Sequence, residues 1–296
     1  MSSVSIGLIA LPTDTIALGW PLWTLAFAVG ACIGSFLNVC IYRIPAEESV
    51  VHPRSRCPRC GTMIAWYDNL PIVSWALLRA RCRGCQTPIS ARYPLVEALT
   101  GGLAILALAR FGPEPLTLAL FVFTAALVLI TFIDIDHRFI PDEVSLPGIA
   151  VGLAVSLLPG GIGIWNAALG ALLGGGILWL VAWGYERSTG REGMGYGDVK
   201  LLAMIGAFLG WQAIPAVIVI ASLTGSVAGL LAMFDARSRR RVSRVERRFG
   251  PVAVLVSLRR ASRRTEIPFG PFLALGALVA LYVPGLFLPL ALTAAG

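Results

Sequence analysis

Eight apolar runs, near residues 18–41, 95–110, 116–133, 144–159, 163–184, 199–211, 212–234 and 269–292, leave this chain few ways to fold. Roughly 15 to 25 apolar residues cross about 30 Å of hydrocarbon as a helix. Lipid offers the backbone no hydrogen bonds, so each run must satisfy its own N–H and C=O groups. Hydrophobic residues make up 57% of the chain and charged residues 14%, a balance outside that of soluble domains. The expected fold is an all-α polytopic membrane protein of about eight transmembrane helices. The sixth run is short, and Trp211, Gln212 and Pro215 at its end mark a tight turn or a broken helix. Residues 1–17 carry no Lys or Arg and therefore no signal-peptide n-region, so the N-terminal segment is expected to be retained.

Charge gives the runs an orientation. With residues 43–94 on the cytoplasmic side, eight crossings also place 134–143, 185–198 and 235–268 there. Together with Lys200 at the boundary, these segments hold 23 of the 24 Lys and Arg residues, Arg110 being the exception. That asymmetry follows the positive-inside rule. The net charge of +8 thus reads as topology and contact with anionic lipids, and nucleic acid is not an expected partner. The chain is expected to divide into 1–42 (N-terminal segment and first helix), 43–94 (cytoplasmic tetra-cysteine domain), 95–234 (transmembrane catalytic core), 235–267 (basic cytoplasmic loop) and 268–296 (last helix).

The loop 43–94 carries Cys57-Pro58-Arg59-Cys60 and Cys82-Arg83-Gly84-Cys85. Two C-x-x-C turns offer four thiolates, the tetrahedral shell that Zn²⁺ prefers, and a cytoplasmic loop keeps thiols reduced. Paired disulfides and thioredoxin-like redox chemistry are the competing readings; the compartment disfavours the first and the missing βαβ context the second. A module of about fifty residues has a small core, so metal would supply much of its folding free energy. His52 is expected to be a loop residue, not a fifth ligand. Gly34, Ser35 and Asn38 share one face of the first helix, which suits close helix packing or contact with a substrate helix. Cys32 and Cys40 are expected to be buried apolar fillers. Glu97 enters the second helix about one turn from the boundary, as a hydrated charge or a functional acid.

The remaining chemistry lies in acids at helix ends. Two runs separate Asp134 from Asp198, so both lie on the same side, which is also that of the cysteine loop. Two carboxylates at a membrane boundary suggest aspartic-protease chemistry, in which repulsion keeps one protonated while the other activates water. Asp134 and Asp136 are two residues apart and point to different helical faces, so one of them is expected to meet Asp198. Asp142 reads as an N-cap. Gly195 and Gly197, in Gly195-Tyr196-Gly197-Asp198, loosen the backbone or admit a close neighbour where the acid sits. Lys200 is not at i, i+4 from Asp198, and contact with lipid headgroups is its expected role.

Five motifs in order give the chain a resemblance. These are Gly34 to Pro45, the paired C-x-x-C followed by Ile89 to Glu97, Asp134 to Asp142, Glu192 to Lys200, and Ile267 to Phe272. In them the chain resembles the prepilin peptidases, the type IV leader peptidase/N-methyltransferase family of GxGD intramembrane aspartyl proteases. The resemblance implies a bacterial inner-membrane enzyme that cleaves the leader of type IV prepilins or type II secretion pseudopilins at the cytoplasmic face. It further implies methylation of the new N-terminus with S-adenosylmethionine. By motif position Asp134 and Asp198 would be the catalytic pair and the four cysteines the ligands of one structural Zn²⁺, with Gly195, Gly197, Asp136, Glu97, Lys200 and Asn38 as supporting candidates. No Gly-rich loop for the methyl donor is visible, and Glu97 with the 43–94 loop is its expected neighbourhood. The basic stretch 235–267, with eleven arginines against three acids, departs from the family pattern and is expected to be a solvated loop that binds anionic lipid, with a docking site for secretion-machine components as the alternative. A GxGD protease without methyltransferase activity, and a scaffold or transporter, are the alternatives.

Overall fold

The computed structural model describes residues 19–190, 195–242 and 268–283, of which 233–242 are described by backbone alone. Among them all regular structure is helical, apart from two isolated antiparallel bridges, Arg56 with Met63 and Arg81 with Pro88. We number the helices α1 (Trp20–Arg43), α2 (Val73–Leu77), α3 (Arg92–Phe111), α4 (Pro115–His137), α5 (Asp142–Val155), α6 (Ile164–Thr189), α7 (Tyr196–Leu209), α8 (Ile214–Val242) and α9 (Gly270–Tyr282). Each apolar run has its helix, and α2 belongs to the cysteine loop. Five segments are long and apolar enough to cross a membrane: Trp20–Ala46, Arg92–Phe111, Pro115–His137, Ile164–Thr189 and Trp211–Ala232. The chain is thus an all-helical, multi-pass membrane protein. Helices α5 and α7 have 14 residues each, and α9 has 13.

Boundaries move where local chemistry acts. The break after the sixth run is a 3₁₀ turn, Trp211–Ala213, entered through Gly210 at φ 81°, so the turn signals mark a real end. The fourth helix starts earlier than its apolar run because Asp142 and Glu143 suit a first turn, where exposed N–H groups favour acids. Its N-cap is Pro141, so Asp142 is the first helical residue and not the cap. Helix α8 continues as backbone to Val242, into the stretch expected to be a loop; residues 243–267, and with them the lipid-surface reading, lie outside the described residues.

Helix α4 forms the axis of the core. Phe123, Leu127, Ile130 and Ile133 are at most 1% exposed. Phe123 stacks on Phe208 of α7 at 4.3 Å between ring centroids. Small residues let neighbours approach, the usual device where lipid gives no hydrophobic drive between helices. A Cβ on Gly34 would stand 2.7 Å from the Glu97 Cα, bringing α1 against α3, and one on Gly170 would run into the Gly206 carbonyl, bringing α6 against α7. Cys40 is buried, as an apolar filler should be, but Cys32 faces outward, correcting its expected burial.

Candidate active site and cysteine cluster

The C-termini of α1 and α4 and the N-termini of α3, α5 and α7 gather at one end of the bundle, tied by polar contacts. The Asn38 side-chain amide donates to the Tyr93 carbonyl at 3.1 Å. Arg92, at the start of α3, pairs with Asp136 in the last turn of α4 and lies over the Phe132 ring. Lys200 reaches both carboxylate oxygens of Asp142 at 2.7 Å, which ties the start of α7 to the start of α5.

Asp134 lies in the last turn of α4, 5% exposed, and turns inward where Asp136 turns out. Its Oδ2 accepts the backbone N–H of Gly270, the first residue of α9, at 2.9 Å. Asp198 is half-buried in the first turn of α7, with Gly195 as the N-cap, next to the Gly197 that lies against Ile140. Ile140, buried at 7%, wedges between the two helix starts. A Cβ on Gly197 would come within 3.0 Å of the Ile140 Cβ, and one on Gly270 within 3.4 Å of its Cδ1. Gly197 is therefore a point of close approach beside the acid. Gly195, by contrast, has no neighbour within 4 Å except the chain itself. Residues 191–194, including Glu192, lie outside the described residues.

The four cysteine sulfurs of the 43–94 loop lie within 4.8 Å of one another, with Cys57 and Cys85 3.8 Å apart. A tetrahedron with metal–sulfur bonds of about 2.3 Å spaces its sulfurs by about 3.8 Å, so the cluster fits a metal ion. Both knuckles are the same turn: Gly61 N–H donates to the Cys57 carbonyl and Gln86 N–H to that of Cys82, at 2.9 and 3.0 Å. The Thr62 and Thr87 hydroxyls lie 3.3 and 3.1 Å from Cys60 and Cys85. The hydrogen bonds of Thr87 hold the Cys85 thiol down at about 6, and those of Thr62 lower Cys60, which readies thiolates for metal at neutral pH. The signal is a repeat, Arg-Cys-x-x-Cys-x-Thr-x-Ile at 56–64 and 81–89. His52 is not part of the cluster.

The module is anchored to the membrane helices at two places. Arg43, buried at the end of α1, donates to the carbonyls of Ser49 and Pro53 at 2.8 and 2.7 Å. Glu97, 7% exposed on α3, accepts the Ile72 N–H at 2.7 Å. Ile72 stands at φ 62° and ψ −49° in a turn closed by Val73 N–H to the Pro71 carbonyl, a rare conformation for a β-branched residue. Between α1 and the module opens a cavity of about 390 Å³ bordered by Ser35, Arg43, Arg54, Trp66, Asn69 and Pro71.

Sequence reasoning singled out Asp134, Asp198, Glu97 and the cysteines but attached no role to Gly270, Ile140, Ile72, Thr62 or Thr87. Gly270 stood inside a quoted motif, Ile267 to Phe272, and its contact spans 136 residues of chain, which no local pattern encodes.

Comparison with known proteins places the whole arrangement. Residues 28–111 match the bacterial peptidase A24 N-terminal domain, and residues 121–230 match the type IV leader peptidase family. The prepilin leader peptidase/N-methyltransferase of Aeromonas hydrophila is 40% identical over 288 residues, covering 89% of this chain and 91% of that protein. The protein of the same name from Neisseria gonorrhoeae is 42% identical over 231 residues, covering 70% and 81%, and that of Myxococcus xanthus is 46% identical over 205, covering 69% and 61%. No solved structure matches the chain. With both halves matched in order and close relatives aligned over most of their length, the chain belongs to the type IV leader peptidase family.

Proposed function

We infer that this chain is a membrane aspartyl endopeptidase that removes the leader of type IV prepilins or pseudopilins and methylates the new N-terminus. The observation that supports this reading is that Asp134, through Gly270, and Asp198, through Gly197, both adjoin the buried Ile140 at the polar end of the bundle, in a chain of this family. In this reading one carboxylate takes a proton from water, whose oxygen attacks the scissile carbonyl. The other, protonated, donates to the carbonyl oxygen as charge develops there, and a proton passes to the leaving amine as the C–N bond breaks. No covalent intermediate with the protein is needed. Gly195 and Gly197 shape the start of α7. Asp136 and Lys200 tie the helix ends together through Arg92 and Asp142, and Asn38 ties α1 to the start of α3.

Zn²⁺ is the metal we assign to Cys57, Cys60, Cys82 and Cys85, in a structural role, because four thiolates leave no open coordination position. S-adenosylmethionine is the proposed donor, and when bound it supplies a methyl group activated by a sulfonium. The cavity between α1 and the module has the volume of a cofactor site. Trp66 offers it an aromatic face and Arg54 a cation suited to a carboxylate. The polar end would face the cytoplasm of a bacterial inner membrane, where a basic leader arrives and anionic headgroups meet the arginines.

Incubation of the purified enzyme with a synthetic prepilin and labelled methyl donor, followed by mass measurement, scores cleavage and methylation separately. Asp134→Asn and Asp198→Asn are each expected to abolish cleavage while methylation of a pre-cleaved pilin continues; full cleavage by either variant would sink the dyad. Trp66→Ala is expected to cut methylation and spare cleavage, and equal methylation would move the donor elsewhere.

A further inference from the structure

Resting on that reading of the dyad, we propose that Gly270, at the start of α9, is a positioning residue of the peptidase: its backbone amide fixes the Asp134 carboxylate, and only glycine allows it.

Two physical needs meet at this point. The first is electrostatic. Asp134 sits in the last turn of α4, where the helix presents its unpaired carbonyls and so disfavours a carboxylate. The first turn of another helix offsets that, since its N–H groups have no partners of their own. Helix α9 begins at Gly270, and that residue's N–H donates to Asp134 Oδ2 at 2.9 Å inside the protein. The second need is orientational. A carboxylate on a helix swings about its last torsion, and a dyad must present one chosen oxygen to water and to its partner acid. With Oδ2 held by the amide, Oδ1 is left for the shared proton and the attacking water.

The glycine itself follows from sterics. A Cβ on residue 270 would stand 2.6 Å from Asp134 Oδ2 and 3.2 Å from its Cγ, where ordinary contact begins near 3.4 Å. Backing away through Ile140 is blocked, because that buried side chain fills the space between Gly270 and Gly197. Any side chain at 270 therefore moves the carboxylate by most of an ångström. Misplacement of that size in a catalytic constellation costs about 100-fold in rate. The short Phe269-Gly270-Pro271 sequence becomes intelligible: Pro271 lies in the first turn, where its missing N–H costs nothing, and Gly270 supplies the one amide directed at the acid.

The test compares two substitutions on the same helix. Gly270→Ala is expected to lower kcat for prepilin cleavage about 100-fold with KM within about twofold of wild type. Methylation of a pre-cleaved pilin should be unchanged. Gly276→Ala introduces a clash of similar size, 2.7 Å to the Val217 carbonyl oxygen, away from the dyad. It is expected to lower thermal stability without a selective loss of cleavage. Cleavage by Gly270→Ala within twofold of wild type would overturn the inference, as would parallel loss of cleavage and methylation in both glycine variants. Asp134→Asn and Asp198→Asn run beside them separate the two layers: if both still cleave, the dyad itself is wrong, whereas inactive Asn variants with an active Gly270→Ala reject only the role of the amide.

Discussion

At the scale of single residues, the region around Asp198 is governed by which atoms are missing. Gly197 lies against Ile140, and an added methyl at 3.0 Å from the Ile140 Cβ demands that one of them yield. Ile140 cannot retreat, because Gly270 is on its other side. Gly197→Ala is therefore expected to tilt the first turn of α7 and to lower cleavage about tenfold to 100-fold, the loss that a misplaced carboxylate brings. Shortening the wedge should relieve part of it: Gly197→Ala with Ile140→Ala is expected to cleave faster than Gly197→Ala alone, a non-additivity that marks contact. Additive losses in the assay would show that the two residues do not press on each other. An acid at the end of α4 for Asp198 to meet was legible as an expectation, from the parity of crossings, with Asp134 chosen over Asp136 only by the family motif. The orientation of Asp134 was not, because it depends on an amide 136 residues away.

At the scale of elements, the cysteine module and the helices under it form a joint that the polar contacts make specific. The knuckle spacing alone announced a cluster of four thiols that could hold a metal ion, and the sulfurs cluster accordingly. What spacing could not announce is how the module docks. Ile72 adopts its unusual backbone conformation with its N–H directed at Glu97, and Arg43 closes the chain just past α1 onto Ser49 and Pro53. Glu97→Ala leaves that part-buried N–H without its acceptor, a loss of about 1 kcal/mol. The module should then loosen from α1 and α3, with faster tryptic cutting at Arg79 and Arg81 while the helical core stays resistant. Removal of metal by a chelator, or Cys57→Ser with Cys82→Ser, is expected to release about one zinc per chain and to unfold the module itself. Resistance to trypsin that is unaltered in Glu97→Ala would show that the carboxylate serves another purpose.

At the scale of the whole molecule, the helix ends that carry polar side chains converge. Arg43, Arg92, Asp134, Asp142, Asp198 and Lys200 all lie toward one end of the bundle, the end at which Arg43 and Glu97 hold the cysteine module, whereas the apolar faces of α6, with Leu172, Leu180 and Val181, point outward as lipid-facing surfaces do. The length of the apolar runs foretold the eight helices because hydrocarbon imposes one solution on every long run. It foretold their boundaries less well, since Asp142, Arg92 and Tyr196 join helices for electrostatic and packing reasons that hydropathy does not record. The same convergence makes topology testable without any substrate. If 23 of 24 basic residues share the cytoplasmic side, trypsin outside sealed right-side-out vesicles meets only Arg110 among all its Lys and Arg targets, and that residue is half-buried in the last turn of α3. The chain should stay whole. In inverted vesicles the same protease should cut within 43–94 and within 235–267, where arginines crowd. Fragments of the cysteine module released from right-side-out vesicles would reverse the orientation, and with it the face at which a leader could reach Asp134 and Asp198.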